Sequence, residues 1–152
     1  MHVALGSDHA GYDLKTLLHD TLTTWGYDVL DVGTYRADES VDYPDYGEAV
    51  GRAVVDGRAE LGVAVCGSGI GIAIAANKVA GVRAALVHDA TSARLAREHN
   101  HANVLCLGAR LVGPVVAVDA LGAWLDAVPE ARHVTRLAKL SALDELRHEE
   151  ER

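Results

Sequence analysis

Phenylalanine is absent from the sequence and cysteine is scarce, with 0 Phe and 2 Cys among 152 residues. Cys66 and Cys106 both fall at or inside apolar segments of strand length, so they do not form a disulfide framework and they predict a reduced compartment. Positive charge is also in the minority, because 14 Lys and Arg stand against 22 Asp and Glu and the formal net charge is -8. Nucleic acids and anionic membranes require a basic surface, which excludes both as the main partner.

Long hydrophobic runs are missing as well. No apolar run approaches the roughly 20 residues that a membrane-spanning helix needs. The opening segment MHVALGSDH enters a strand-like stretch without the charged region or cleavage site of a signal peptide. We therefore expect a cytoplasmic protein with no membrane partner.

What the sequence does contain is enough apolar material for a full core, since 49% of its residues are hydrophobic. This content and length favour one domain over residues 1–152. Apolar segments of strand length recur at 2–5, 28–32, 61–65, 82–87 and 104–107. Segments of helical character lie at 12–25, 45–56, 69–79, 91–99, 114–127 and 132–151. This alternation predicts an α/β fold with a Rossmann-like, doubly wound, five-stranded parallel sheet, and the leucine-striped last helix is expected to pack on a partner subunit.

We expect the chemistry at the seam between the third strand and the helix that follows it. Cys66 comes directly after the strand, and Gly67, Gly69 and Gly71 follow at alternate positions. Glycine backbone can turn sharply with its N–H groups outward, and a helix N-terminus adds positive partial charge, so an anion or a developing oxyanion is stabilised there. A thiol in the same place is biased toward the thiolate form. Cys106, inside an apolar run, is expected in the core.

The same glycines also suggest a dinucleotide site. Gly67 and Gly69 resemble the opening of the Rossmann fingerprint, and Asp89 follows about 20 residues later, where a ribose-binding acid is expected. Gly71, however, comes one position too early for the third glycine of that fingerprint. The dinucleotide interpretation is therefore the weaker one.

Several basic residues have both a functional and a structural interpretation. Arg132 and Arg136 are four residues apart, so on a helix they share one face and can hold the same phosphate, or they can form a solvated face. His9 and His99 can act as acid or base near neutral pH, or they can be surface or capping residues. His99 and His101 lack a convergent acid or cysteine, so we expect no catalytic metal.

A set of short motifs runs in order along nearly the whole chain. It consists of Asp8-His9-Ala10-Gly11, Leu14-Lys15, Asp42-Tyr43-Pro44, Cys66-Gly67-Ser68-Gly69-x-Gly71, Ala75-Ala76-Asn77-Lys78, Arg97-x-His99-Asn100, Asn103-Val104-Leu105 and Gly108-x-Arg110-x-x-Gly113. Their combination resembles the type B ribose-5-phosphate isomerase and galactose-6-phosphate isomerase family. Because the resemblance spans nearly the whole chain, it is far more specific than any one motif.

The resemblance implies an aldose–ketose isomerase of the pentose phosphate pathway that acts on a sugar phosphate through a cis-enediolate, without a cofactor. Cys66 would move the proton between two carbons, His99 would open the sugar ring, and Ser68 and Asp8 would assist. One branch of the family uses a glutamate six positions after the cysteine, but that position is Ile72 here, so Cys66 remains the candidate base. The implied substrate-binding residues are Asp8, His9, Tyr43, Gly67, Ser68, Gly69, Ile70, Gly71, Asn100, Arg110, Arg132 and Arg136.

Three functions stay open at this level. The first is interconversion of ribose 5-phosphate and ribulose 5-phosphate. The second is isomerisation of another phosphorylated sugar, such as a tetrulose 4-phosphate or allose or galactose 6-phosphate, and the third is a non-catalytic module that binds a sugar phosphate or nucleotide. We also expect a homodimer, or a dimer of such dimers, whose active site combines Cys66 of one chain with His99, Asn100 and Arg110 of the other.

Overall fold

The computed structural model describes the backbone of residues 1–150 and the side chains of residues 1–144. Its five strands are β1 (His2–Ser7), β2 (Asp28–Asp31), β3 (Leu61–Cys66), β4 (Ala84–Leu86) and β5 (Val104–Gly108). Its α-helices are α1 (Tyr12–Thr24), α2 (Tyr43–Val55), α3 (Ile70–Ala76), α4 (Ala90–Asn100), α5 (Pro114–Asp126) and α6 (Val134–Glu150), with a 3-10 turn at Ala131–His133 before α6. Residue 151, the predicted end of the last helix, lies outside the described residues.

The strands form one parallel sheet in the order β2-β1-β3-β5-β4. Every residue of β3 and β5 is buried. Helices cover both faces of the sheet, which is why these strands consist almost entirely of apolar residues. Side chains of α1, α4 and α5 pack on one face, and those of α2 and α3 pack on the other. The predicted doubly wound five-stranded α/β fold is confirmed, and Cys106 lies fully buried in its core.

The strand order reverses between β1 and β3, so their carboxyl ends open into a crevice there. The backbone N–H of Asp8, just after β1, donates to the carbonyl of Val65 in β3 at 3.2 Å. Asp8 and Cys66 are thereby placed at the same edge of the sheet. Within residues 1–150, no helix is both long and apolar enough to cross a membrane.

Some element boundaries differ from the predicted ones. Helix α2 begins at Tyr43, two residues early, because Asp42 is extended and Pro44 occupies the first turn. Helix α3 ends at Ala76, where the Asn77 side chain turns away and bonds both backbone groups of Ala84, at 2.8 and 2.9 Å. The predicted helix over 132–151 is divided into the 3-10 turn and α6. Packing of α6 on a partner stays a prediction.

Lys15 ties together three segments beneath the long loop that follows β2. Its side chain is only 3% exposed, and Nζ lies 2.7 Å from both carboxylate oxygens of Asp31 and 2.7 Å from the carbonyl of Thr34. Asp31 in turn accepts from the N–H of Gly33 at 2.9 Å. A buried ammonium group is stable only when acceptors surround it. The contacts of Lys15 with Asp31 and Thr34 therefore hold the start of the loop in place.

We predict that Lys15→Met lowers the free energy of unfolding by about 2–3 kcal/mol, because it leaves the half-buried Asp31 carboxylate without its partner. Urea denaturation measures the change. Lys78→Met, on an exposed lysine, is the matched control and should change stability by no more than about 0.5 kcal/mol. Equal effects of the two substitutions would contradict the proposed role of Lys15.

Candidate active site

A cleft of about 260 Å³ lies at the crevice where the strand order reverses. The strand ends of β1, β3 and β5 contribute to it, together with the starts of α2 and α3. Its lining residues are Asp8, His9, Ala10, Tyr43, Cys66, Gly67, Ser68, Gly71 and Arg110. The fold therefore brings together eight sequence-predicted site residues that lie far apart along the chain.

Cys66 forms part of the cleft wall and is the last residue of β3. The residue is only 4% exposed, and its Sγ accepts a hydrogen bond from the N–H of Gly69 at 3.1 Å. The hydroxyl oxygen of Ser68 accepts from the N–H of Ile70 at 3.2 Å. The turn thus directs one backbone donor at the Cys66 sulfur in the cleft wall.

The glycines are required because the turn after β3 lies directly on the end of β5. Gly69 has φ +76°, and a Cβ there would lie 2.8 Å from the carbonyl carbon of Leu107. A Cβ on Gly108 would lie only 2.4 Å from the carbonyl oxygen of Ser68. Gly71 similarly leaves room for the ring of Tyr43, which would be 2.6 Å from a Cβ. Only glycine allows the sulfur, the turn and Tyr43 to approach so closely.

Arg110 belongs to the cleft of its own chain. Its N–H donates to the carbonyl of Gly67 at 2.9 Å, and its Nη1 lies 3.1 Å from the place where a Cβ on Gly67 would be. The guanidinium thus brings positive charge next to the Cys66 turn. This placement differs from the expectation that a partner chain supplies Arg110.

Asp8 and His9 also line the cleft. The buried Asp8 accepts from the N–H of Gly11 at 2.9 Å, which fixes the orientation of its carboxylate. His9 Nδ1 lies 3.2 Å from both the backbone N and the backbone O of Val41, in the loop before α2. The loop after β2 therefore reaches the cleft edge.

A second group of polar residues gathers near the ends of α4 and the 3-10 turn. Arg132 Nη2 lies 3.4 Å from His99 Nε2, and Arg136 Nη1 lies 3.1 Å from His133 Nδ1. Arg132 also pairs with Glu130, and this hydrogen bond is the main cause of the lowered pKa of the Glu130 carboxyl. His133 was not among the site residues predicted from the sequence, although its place between the two arginines is a signal that could have identified it.

Within one chain, the Cys66 cleft and the group of polar residues around His99 are separate. Over the described side chains, no hydrogen bond or ion pair joins the Cys66 cleft to the group around His99. Asn100 lines a third feature, a cavity of about 380 Å³ between β4 and α6 that contains neither Cys66 nor His99. The structure thus brings together some of the predicted site residues and leaves His99, Asn100, Arg132 and Arg136 apart from them.

Two features that could suggest a ligand are the carboxylate of Asp89 and the group formed by His99, Glu130 and His133. Asp89 caps α4 by accepting from the N–H of Ser92 at 2.6 Å, so its carboxylate serves the helix N-terminus and not a ribose. The ligand atoms of His99, Glu130 and His133 lie within 4.8 Å of one another, a set of donors that suits a transition metal. Both neighbouring guanidinium groups oppose a cation there, and we assign no metal to these residues.

Residues 3–140 match the family described as Ribose/Galactose Isomerase, and the chain therefore belongs to this family. Its class, an aldose–ketose isomerase of the type B kind, is the one that the sequence predicted. Ribose-5-phosphate isomerase B of Clostridium thermocellum has a similar structure, with a TM-score of 0.93 and 46% identity over 95% of this chain and 98% of that one.

Two further relatives bear on the substrate. Ribose-5-phosphate isomerase B of Mycoplasma genitalium, solved with bound ribulose 5-phosphate, gives a TM-score of 0.90 and 38% identity over 95% of this chain and 96% of that one. The D-erythrulose-4-phosphate isomerase of Pectobacterium atrosepticum is 44% identical over 127 residues, which is 84% of each chain. The family thus includes isomerases of sugar phosphates of different length.

Proposed function

We propose that the enzyme interconverts ribose 5-phosphate and ribulose 5-phosphate, with Cys66 as the base that moves the proton. The observation that carries this proposal is the Cys66 sulfur in the cleft wall, 3.1 Å from the N–H of Gly69. The similarity to ribose-5-phosphate isomerases B, among them the one with bound ribulose 5-phosphate, supports the choice of a five-carbon substrate.

The chemistry starts from the open-chain sugar phosphate. The Cys66 thiolate takes the proton from the carbon next to the carbonyl, and the electrons of that C–H bond form the C1–C2 double bond while the carbonyl oxygen becomes negative. In the resulting cis-enediolate, the hydroxyl proton passes from the oxygen on the first carbon to the negative oxygen. The thiol then returns its proton to the other carbon, and the first carbon becomes the new carbonyl carbon. His99 opens the sugar ring before this step by moving a proton between the ring oxygen and O1. The sequence of steps requires neither metal nor nicotinamide.

Backbone donors and Arg110 stabilise the enediolate. Two N–H groups of the turn are already in use, because Gly69 donates to Cys66 and Ile70 donates to Ser68. The N–H groups of the other turn residues 67, 68 and 71 are the ones we assign to the enediolate oxygens. Arg110, beside Gly67, adds a positive charge at the same place. Tyr43, packed on Gly71, contacts the sugar.

The phosphate is bound by His9 and by arginines. An enzyme with a net charge of -8 needs a local cluster of cations to hold a phosphate dianion. Arg132 and Arg136 form such a cluster beside His99, but in the same chain they do not contact the Cys66 cleft. We therefore propose that a second copy of the chain brings its own His99, Asn100, Arg132 and Arg136 over the cleft.

We predict that Cys66→Ala lowers kcat by about a thousandfold, within the range that general-base groups contribute. The dissociation constant of a five-carbon sugar-alcohol phosphate, which binds but cannot isomerise, should stay within about threefold of the parent, because only the proton-transfer step loses its agent. Enzyme kinetics and calorimetry measure the two quantities. Cys106→Ala, at the other, fully buried cysteine, is the control for loss of a thiol.

Activity of Cys66→Ala within about tenfold of the parent would contradict the base assignment. The parent is to be assayed with four-, five- and six-carbon sugar phosphates ranked by kcat/KM. A higher value for D-erythrulose 4-phosphate than for ribulose 5-phosphate would instead favour the second candidate function, which the relative from Pectobacterium atrosepticum suggests.

The shared site predicts recovery of activity from two inactive variants. When Cys66→Ala and His99→Ala chains are unfolded and refolded together in equal amounts, about half the dimers should be mixed, and each mixed dimer has one intact site of two. Recovered activity should approach about a quarter of the parent value. The control is a mixture of Cys66→Ala with Cys66→Ser, which can form no intact site. No recovery, with mixed dimers verified by mass, would place both residues in one chain's site.

A further inference from the structure

His133 is a buried polar residue in an otherwise exposed segment. The residue is 5% exposed, while its neighbour Val134 is 65% exposed. Its ring lies against that of His99, with centroids 4.6 Å apart and planes tilted by 41°, and the Arg136 guanidinium contacts its Nδ1. Burial of an imidazole among charged groups is unfavourable unless its nitrogens are held. His133 therefore calls for an explanation beyond core packing.

The contacts determine which nitrogen of His133 carries the proton. Arginine has only donors, so Arg136 Nη1, 3.1 Å from Nδ1, must donate to an unprotonated Nδ1. The ring proton is then on Nε2, which lies 3.4 Å from Glu130 Oε2 but makes no hydrogen bond among the residues that the structure describes. Burial and the charges of the nearby arginines also lower the pKa of the His133 imidazole, which favours the neutral form that this arrangement needs.

Backbone contacts fix the turn that carries His133 to the helix that carries His99. The N–H of His133 donates to the carbonyl of Glu130 at 3.1 Å, and the N–H of Glu130 donates to the carbonyl of Glu98 in α4 at 2.9 Å. His99 is the next residue after Glu98. His133 thus contacts both the imidazole of His99 and the guanidinium of Arg136, and backbone hydrogen bonds hold its turn in place.

We propose that His133 is a positioning residue that holds His99 and Arg136 at a fixed separation, acting as the neutral imidazole protonated on Nε2. The proposal rests on the roles given above to His99 in ring opening and to Arg136 in phosphate binding. The Nδ1 acceptor orients the Arg136 guanidinium, and the face of the ring supports the imidazole of His99. Loss of the first contact affects binding, whereas loss of the second affects turnover.

Two substitutions separate these contacts. In His133→Asn the amide oxygen takes the place of Nδ1 and can still accept from Arg136, but the ring that supports His99 is gone. In His133→Gln the amide takes the place of Nε2, and both the ring that supports His99 and the acceptor for Arg136 are gone. We expect kcat for ribose 5-phosphate, the cyclic substrate, to fall by about tenfold or more in both variants, because the displaced His99 no longer opens the sugar ring.

The Michaelis constant distinguishes the two variants. KM for ribulose 5-phosphate and the dissociation constant of inorganic phosphate should rise by about tenfold in His133→Gln and stay within about threefold of the parent in His133→Asn. The controls are His19→Asn and His19→Gln, on a half-buried histidine of α1, which should change neither constant. Equal KM values in the two His133 variants, at comparable resistance to urea, would overturn the proposal and reduce His133 to a packing residue.

The tautomer is tested without any turnover. Long-range ¹H–¹⁵N correlation spectra of the parent enzyme, assigned with His133→Asn, should show Nδ1 of His133 as an unprotonated nitrogen and Nε2 as a protonated one. A proton on Nδ1 would overturn the proposal even if the enzyme isomerises ribulose 5-phosphate. If the enzyme turned over no sugar phosphate, the spectra and the phosphate dissociation constants would still decide whether His133 holds Arg136.

Discussion

The close approach of the turn after β3 to the end of β5 is the contact on which the cleft depends. At Gly108 a single added carbon would lie 2.4 Å from the carbonyl oxygen of Ser68, and at Gly69 it would collide with the backbone of β5. Because the turn is pressed onto the sheet in this way, the N–H of Gly69 is aimed at the sulfur of Cys66. The same contact places Arg110, two residues after Gly108, over Gly67. The reactive group, its donors and a positive charge therefore have one structural origin.

Charge is the second constraint. The chain is acidic overall, yet its proposed ligand is a dianion, so the proposed site depends on local cations, which are Arg110 and the pair Arg132 and Arg136. Each arginine of the pair lies against a histidine, where only an unprotonated imidazole nitrogen can face a guanidinium. Guanidinium groups held beside imidazoles suit a site that must hold a phosphate and also move a proton.

The sequence predicted the architecture well for a physical reason. Strands buried on both faces must be nearly continuous in apolar residues, and all five such segments proved to be strands of one parallel sheet. The polar residues that follow these strands, Asp8 and Arg110 among them, reach the cleft because parallel strands end at the same edge of a sheet.

Other features could not be predicted from local patterns. Asp89 stands at the spacing of a ribose-binding acid, but its carboxylate accepts a hydrogen bond from the N–H of Ser92. Sequence spacing alone cannot distinguish such a helix cap from a ligand-binding residue. Likewise, the shortened α3 depends on the side chain of Asn77 bonding to Ala84 in another element. His133 escaped notice because its burial comes from tertiary contacts with His99 and Arg136 in a segment that reads as an exposed helix. Which subunit supplies each residue of a shared site depends on how the subunits assemble, and local sequence patterns do not reveal it.

Proton transfer by a thiol in a cleft open to water is the central claim of this account, and it is tested most directly by isotope incorporation. Ribulose 5-phosphate is converted in D₂O, and the ribose 5-phosphate formed is examined by NMR for deuterium at C2. The account predicts deuterium at C2, because the proton that Cys66 takes from C1 can exchange with solvent while the enediolate is bound. Complete retention of the original C1 hydrogen at C2, as in a direct hydride shift, would contradict it.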